Sequence, residues 1–166
     1  MNYRIYQFCK AVFPRIDSAE YNWALQILTP EAIILFNKQS RSEQRHALDV
    51  AQSLLTKKCN FTDMDRQNIL TAALLHDCGK STIELYLWQR VYIVLMQKLP
   101  QGLWALLEKG PALLAQPLKV DDLHPIWGEQ LAKEAALNNH ICCLIREHHN
   151  PQTELGRLLA LADNEH

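Results

Sequence analysis

Seven side chains draw attention for the chemistry their types could do together: His46, His76, Asp77, His124, His148, His149 and Asp163. Neutral imidazoles and carboxylates are the usual protein ligands of divalent transition metals. They follow one another as His, His-Asp, His, His-His, Asp, on stretches that read as helix ends or helix faces. An adjacent His-Asp pair can reach one ion if the chain turns just after it, and Gly79 is read as supplying that turn. Asp77 has two oxygens and could bridge two ions, whereas each imidazole serves one. Two neighbouring ions can clamp a phosphate and turn a bridging water into a nucleophile near neutral pH. Singly these residues mean little, since a His-Asp dipeptide is common and a lone histidine on a helix is usually packing or surface. The weight lies in the combination.

The elements that must position them read as helices. A chain of 166 residues, 48% hydrophobic and 21% charged, fits one domain around one core. It holds only five glycines, too few for the frequent turns of a β-rich fold, and nothing reads as a strand. The expectation is therefore an all-α, single-domain helical bundle around a buried metal centre, with residues 1–40 as N-terminal helices and 41–166 as the metal-binding core.

The punctuation predicts the helices one by one. Pro14 ends a first short segment. Asp17 and Glu20 have capping-box spacing ahead of a helix from Tyr21 to Leu28. Thr29-Pro30-Glu31 starts the next, to Phe36. Ser42 is read as a cap for the helix carrying His46, with Leu48, Ala51, Leu54 and Leu55 on one face. Thr62 caps another, whose buried stripe is Ile69, Ala72, Ala73 and Leu75. Thr82 to Lys98 is strongly apolar and reads as a core helix, and Leu103 to Lys109 as a short one. Pro111 and Pro117 predict a loop from Pro111 to Asp122. His124-Pro125 then opens a helix through Leu137, which Asn138-Asn139 closes. Ile141 to Glu147 and Leu155 to Ala162 complete the chain.

Composition excludes several function classes. A formal net charge of −1 offers no basic field for a nucleic-acid polymer. No apolar run approaches the length of a membrane span, and the N-terminus lacks the apolar core of a signal peptide. Five cysteines, an odd number with no C-x-x-C pair, read as reduced thiols in a cytoplasmic protein.

The block Ala72-Ala73-Leu74-Leu75-His76-Asp77-Cys78-Gly79-Lys80, with His46 before it and Asp163 after, resembles the HD-domain superfamily of metal-dependent phosphohydrolases. His124-Pro125-Ile126-Trp127-Gly128-Glu129 and His148-His149 resemble the extra ligands of its binuclear members, including the HD-GYP group. The resemblance implies that His46, His76, Asp77 and Asp163 hold a first metal. It implies that Asp77 bridges to a second metal held by His124, His148 and His149, and that Lys80 points at the substrate phosphate beside the catalytic Asp77. Lys80 also makes sense directly, since its ammonium could offset charge developing on phosphoryl oxygens; it reads as well as a solvated lysine.

The chain departs from the pattern in two places. The Gly-Tyr-Pro stretch is absent, because His148-His149 is followed by Asn150-Pro151-Gln152. Ser42 stands where some binuclear members carry an acid, with Glu43 one residue out of phase. The implied function is hydrolysis of a nucleotide, cyclic dinucleotide or other small phosphate ester, with no protein partner named. The implied cofactor is a divalent transition metal, two ions, with Fe or Mn ahead of Zn, Ni and Co. Two alternatives stay open: a di-iron oxygenase of the same family, and a non-catalytic nucleotide-binding signalling module.

Other residues have two readings each. Arg45, Arg146 and Trp127 adjoin the histidines and could contact substrate, or they could be surface and packing residues. Trp88, Tyr92 and Trp104 could line a pocket for a nucleobase, but at helical spacing they read as core. Glu147 could orient an imidazole or lie free. Cys78 reads as a small buried residue rather than a redox sensor, and His140 as surface.

Overall fold

A computed structural model describes residues 14–57, 61–96 and 100–166. The short segment expected before Pro14 lies outside the described residues, as do Cys9 and Cys59. Among the described residues there are helices and no strand. In chain order they are α1 (Ser18–Ile27), α2 (Pro30–Lys38), α3 (Arg41–Thr56), α4 (Asp63–Leu75), a 3₁₀ turn (Cys78–Thr82), α5 (Leu87–Met96), α6 (Gln101–Glu108), α7 (Ala112–Glu134), α8 (Asn139–Glu147) and α9 (Glu154–Asn164). No described helix is long and apolar enough to cross a membrane.

Local chemistry sets the helix starts. Asp17 and Glu20 close the expected capping box on α1, and Thr62 with Asp65 closes one on α4. On α3 the cap is Ser40, not the expected Ser42: the Ser40 hydroxyl accepts from Glu43 N at 3.4 Å and the Glu43 carboxylate accepts from Ser40 N at 2.9 Å. The box needs an acid three residues after the hydroxyl, and Ser40 has Glu43 there. Asn138 closes nothing; it caps α8 by accepting from Ile141 N at 3.0 Å.

The core lies between α3, α4, α8 and α9, with α1 and α2 packed on α4. Phe36, Leu48, Ile69, Leu74, Leu75, Ile145 and Leu159 are fully buried there. The whole run from Thr71 to Gly79 is buried, so the His76-Asp77 pair starts from the floor of the molecule.

Two segments differ from their predicted form. The loop expected from Pro111 to Asp122 is helix: α7 is continuous to Glu134 with Pro117 and Pro125 inside it, and His124 sits in its middle rather than at its start. An interior proline costs a helix about 3 kcal/mol. Burial of Pro117, Leu118, Val120, His124 and Pro125 against the 3₁₀ turn and neighbouring helices offsets that, since a fully buried large apolar side chain contributes roughly 1.5–3 kcal/mol. The second difference is α5. It is shorter than Thr82 to Lys98, because Thr82 belongs to the 3₁₀ turn, and residues 97–99 lie outside the described set. It is not a core helix either: Ile93 and Gln89 are buried, whereas Trp88, Val91 and Leu95 are exposed. An apolar run states what a face prefers, and the packing decides which face is covered.

Candidate metal centre

Five elements deliver the seven residues. His46 projects from α3. His76 stands at the C-terminus of α4, and Asp77 follows in the turn into the 3₁₀ segment. His124 comes from the middle of α7. His148 and His149 follow the end of α8, and Asp163 lies in the last turn of α9. Lys57, just after α3, holds Glu165 at 2.6 Å, and Leu159 and Ala162 are buried, so the helix end carrying Asp163 is docked rather than frayed.

The side chains converge in three overlapping groups, His46–His76–Asp163, His76–Asp77–His148 and His124–His148–His149. The candidate ligand atoms in each group lie within 4.8 Å of one another. The imidazoles run as a continuous file, with ring centroids 5.2 Å apart for His46–His76, 5.0 Å for His76–His148 and 5.2 Å for His148–His124. His76, Asp77, His124 and His148 are buried; His149 is exposed at the rim.

Asp77 sits between the two halves. Its Oδ1 faces His124 Nε2 at 3.2 Å and His148 Nε2 at 3.9 Å. Its Oδ2 faces His76 Nε2 at 3.7 Å and Lys80 Nζ at 2.7 Å. His46 Nε2 lies 2.8 Å from Asp163 Oδ1.

Backbone carbonyls orient the rings. Nδ1–H of His76 donates to the Ala73 carbonyl at 2.9 Å, that of His148 to Ile145 at 2.7 Å, and that of His124 to Asp121 at 2.7 Å. A carbonyl only accepts, so each Nδ1 carries the hydrogen and a neutral ring turns an Nε2 lone pair inward.

The donor set fits a metal. His124 Nε2 and His148 Nε2 face each other at 3.2 Å, an arrangement that a shared cation relieves. His76 Nε2 is buried without a hydrogen-bond partner, and the oxygens of Asp163 and Asp77 stand off at 3.5 and 3.7 Å. The electrostatics agree. Burial pushes the His76 pKa down, but the charges of Asp77 and Asp163 hold it at about 9, so the pocket favours a positive charge there. Burial would raise Asp77, yet Lys80 and His76 keep it well below the usual carboxylate range, and His46 and His76 do the same for Asp163. Burial together with the neighbouring His76 keeps His148 far below the ordinary imidazole value, and His149 is lowered by burial and His124. Burial would lower Lys80, but Asp77 more than offsets this and holds it charged.

Gly79 acts by closeness, not by a special dihedral, since no described glycine has a positive φ. A Cβ on Gly79 would lie 2.0 Å from the His124 carbonyl oxygen and 2.6 Å from Gly128 N, both backbone atoms of α7. Absence of that Cβ lets α7 approach the 3₁₀ turn closely enough for His124 to meet Asp77.

Several candidates are placed elsewhere. The Arg45 guanidinium is buried against Glu20 at 2.5 Å and Asp49 at 3.0 Å, so it ties α1 to α3 and is not presented to substrate. Arg146 is exposed, 3.9 Å from Glu129. Trp127 is half-buried on α7, whereas Trp88 is exposed rather than core. Glu147 accepts from Gln152 N at 2.9 Å and from the Thr153 hydroxyl, so it braces the loop before α9 and orients no imidazole. Burial and the Asp77 charge push the Cys78 thiol up to about 12, which suits packing and not reactivity. His140 is exposed, as expected. Sequence reasoning weighed Glu43 only as an acid one residue out of phase and passed over Asp121; the charges of both act on Lys80.

No curated protein and no solved structure matches the chain. A family model does, that of the HD domain, over residues 44–166. That span contains the His-Asp pair at the centre of the cluster and every histidine and carboxylate around it, and the chain belongs to the HD-domain family.

Proposed function

We propose that this protein hydrolyses a small phosphate ester, a nucleotide, cyclic dinucleotide or other phosphorylated metabolite, using two divalent transition-metal ions. The observation that carries the reading is the split environment of Asp77. One oxygen faces His124 and His148 and the other faces His76 and Lys80, as a bridging carboxylate requires.

His46, His76, Asp77 and Asp163 would hold one ion, and Asp77, His124, His148 and His149 the other. Iron and manganese are favoured, with zinc, nickel and cobalt compatible with the same ligands. Bound there, the ions would polarise a phosphoryl oxygen and lower the pKa of a water to make a nucleophile near neutral pH. The chain's own residues do the rest. Lys80, a quarter exposed beside Asp77, supplies a fixed positive charge for phosphoryl oxygens. The buried carbonyl contacts of His76, His124 and His148 hold the rings in place before substrate arrives. His149 and Lys80 mark the open side from which a phosphate would enter.

The test is metal analysis by mass spectrometry on untagged protein, wild type beside His124→Ala, followed by a screen of nucleotides and phosphodiesters. Two ions per chain falling toward one, with hydrolysis lost, is the expected result. One ion in both proteins would sink the two-metal reading. Turnover that consumes oxygen and stops under anaerobic conditions would replace hydrolysis with oxygenase chemistry. Tight nucleotide binding without product in metal-replete protein would replace it with a binding module.

A further inference from the structure

We infer that Pro125 is a positioning residue for His124: having no backbone N–H to give the Asp121 carbonyl, it hands that acceptor to the His124 ring and so sets which nitrogen faces the cluster. This deepens the metal-dependent reading and rests on it for the role of His124 as a ligand.

The argument starts from a pattern shared by three buried imidazoles. His76, His148 and His124 each place Nδ1 on the carbonyl three residues earlier, at 2.9, 2.7 and 2.7 Å. An intact helix gives such a carbonyl to the amide four residues on, so a ring competes poorly for it. Helix ends remove the competitor, because the last four carbonyls have no such amide. Ala73 belongs to the last turn of α4, which ends at Leu75, and Ile145 to the last turn of α8, which ends at Glu147. His76 and His148 therefore take acceptors that the helix ends release.

His124 has no helix end nearby, since α7 runs on to Glu134. The amide four residues after Asp121 would be that of residue 125, and residue 125 is proline. The ring sits closest to that carbonyl, 2.7 Å against 3.2 Å for the carbonyl of Val120. Pro125 thus gives the middle of a helix the local chemistry of a helix end, where the fold needs a third imidazole to face Asp77. Pro117, in the same helix and also buried, adjoins no histidine and provides the internal control.

The experiment reads the His124 tautomer by NMR in the metal-free, histidine-¹⁵N-labelled 166-residue chain, with His124→Ala assigning the signal. Manganese affinity is measured alongside. The wild type should show Nδ1–H. Pro125→Ala restores the amide and should shift the ring toward the Nε2–H form. It should also weaken the second manganese ion by roughly ten- to a hundredfold, the usual cost of losing a partner that orients a ligand, while the melting temperature does not fall. Pro117→Ala should change neither tautomer nor affinity. If Pro125→Ala fails to fold, Pro125→Val restores the same amide with more of the buried volume. An unchanged tautomer in the folded variant overturns the inference, and so does the same shift in Pro117→Ala. A shifted tautomer in a protein whose wild type takes up no second ion would sink the two-metal reading and leave the role of Pro125 standing.

Discussion

Arg45 and His46 are adjacent in α3 yet lead into two polar clusters of opposite character. Arg45 enters a cluster of opposite charges: its guanidinium meets Glu20 at 2.5 Å and Asp49 at 3.0 Å, with its Nε left without a partner, and Gln52 Nε2 donates to Glu20 at 3.3 Å. His46 enters a cluster rich in lone pairs, where imidazole nitrogens face one another and His76 Nε2 has no hydrogen-bond partner. Opposite charges that satisfy each other hold helices together. Imidazole nitrogens that face one another around a shared carboxylate describe a place for a cation. The difference distinguishes a structural ion network from a candidate ligand site with no reference to sequence motifs.

The largest expected effect falls on the second cluster. Asp77→Asn keeps the shape but removes the charge both halves share, so metal content should drop toward zero. Loss of several kcal/mol of charge stabilisation by the ions is on the order of a thousandfold in rate, to be read with the best substrate of the screen. Metal should likewise stabilise only the protein that binds it. At a hundred times its dissociation constant a bound ion adds about 2.7 kcal/mol; a calorimetric shift of that size should appear in wild type and vanish in Asp77→Asn.

Arg45→Met strikes the first cluster. It removes the buried cation that Glu20 and Asp49 share and should cost about 3 kcal/mol in urea unfolding, with metal stoichiometry unchanged. If metal were lost without loss of stability, the division between the clusters would be wrong. Gly79→Ala tests the seam between the two halves of the metal cluster. Its Cβ meets backbone that cannot turn aside, so about 2–3 kcal/mol of overpacking strain is expected, together with loss of the ion nearer His124. Gly128→Ala meets the Ile145 Cγ2 at 2.9 Å, a branch methyl on a buried helical side chain with little rotamer freedom, and should cost about 1–2 kcal/mol.

The smallest effect is an acid limb. The Arg45 hydrogen bond lowers Glu20 from 4.5 to about 2. The folded value lies below the unfolded one, so the contribution is whole above pH 4.5 and disappears as pH falls toward 2. Solvent screening keeps it under about 1 kcal/mol. Stability measured down this limb should be flatter in Glu20→Gln than in wild type.

Legibility in the sequence followed locality. The capping box at Asp17 and the cap at Thr62 were readable because the partners lie within one turn. The buried run through His76-Asp77 was readable from its apolar stripe. Ser42 displaced Ser40 as the expected cap because two serines compete for one helix start, and only the geometry to Glu43 separates them. The loop expected around Pro117 failed because proline's penalty is a local cost, while the burial that outweighs it comes from distant chain. Trp88 failed in the opposite sense: Trp88, Val91 and Leu95 on α5 are exposed, so its apolar run is not covered all round. Arg45 was read with its neighbour His46, but successive residues of a helix point about 100° apart, and only the packing of α1 showed which way each one faced.

By itself, the sequence determined the helical class, the candidate ligand types and their order along the chain, because these depend on composition, period and short-range chemistry. Tertiary structure alone decided that His46 meets Asp163 across most of the chain, that α7 closes on Gly79, and that Asp77 shows one oxygen to each half of the cluster. Those facts depend on distances between segments remote in sequence, and such distances exist only once the core between α3, α4, α8 and α9 has formed.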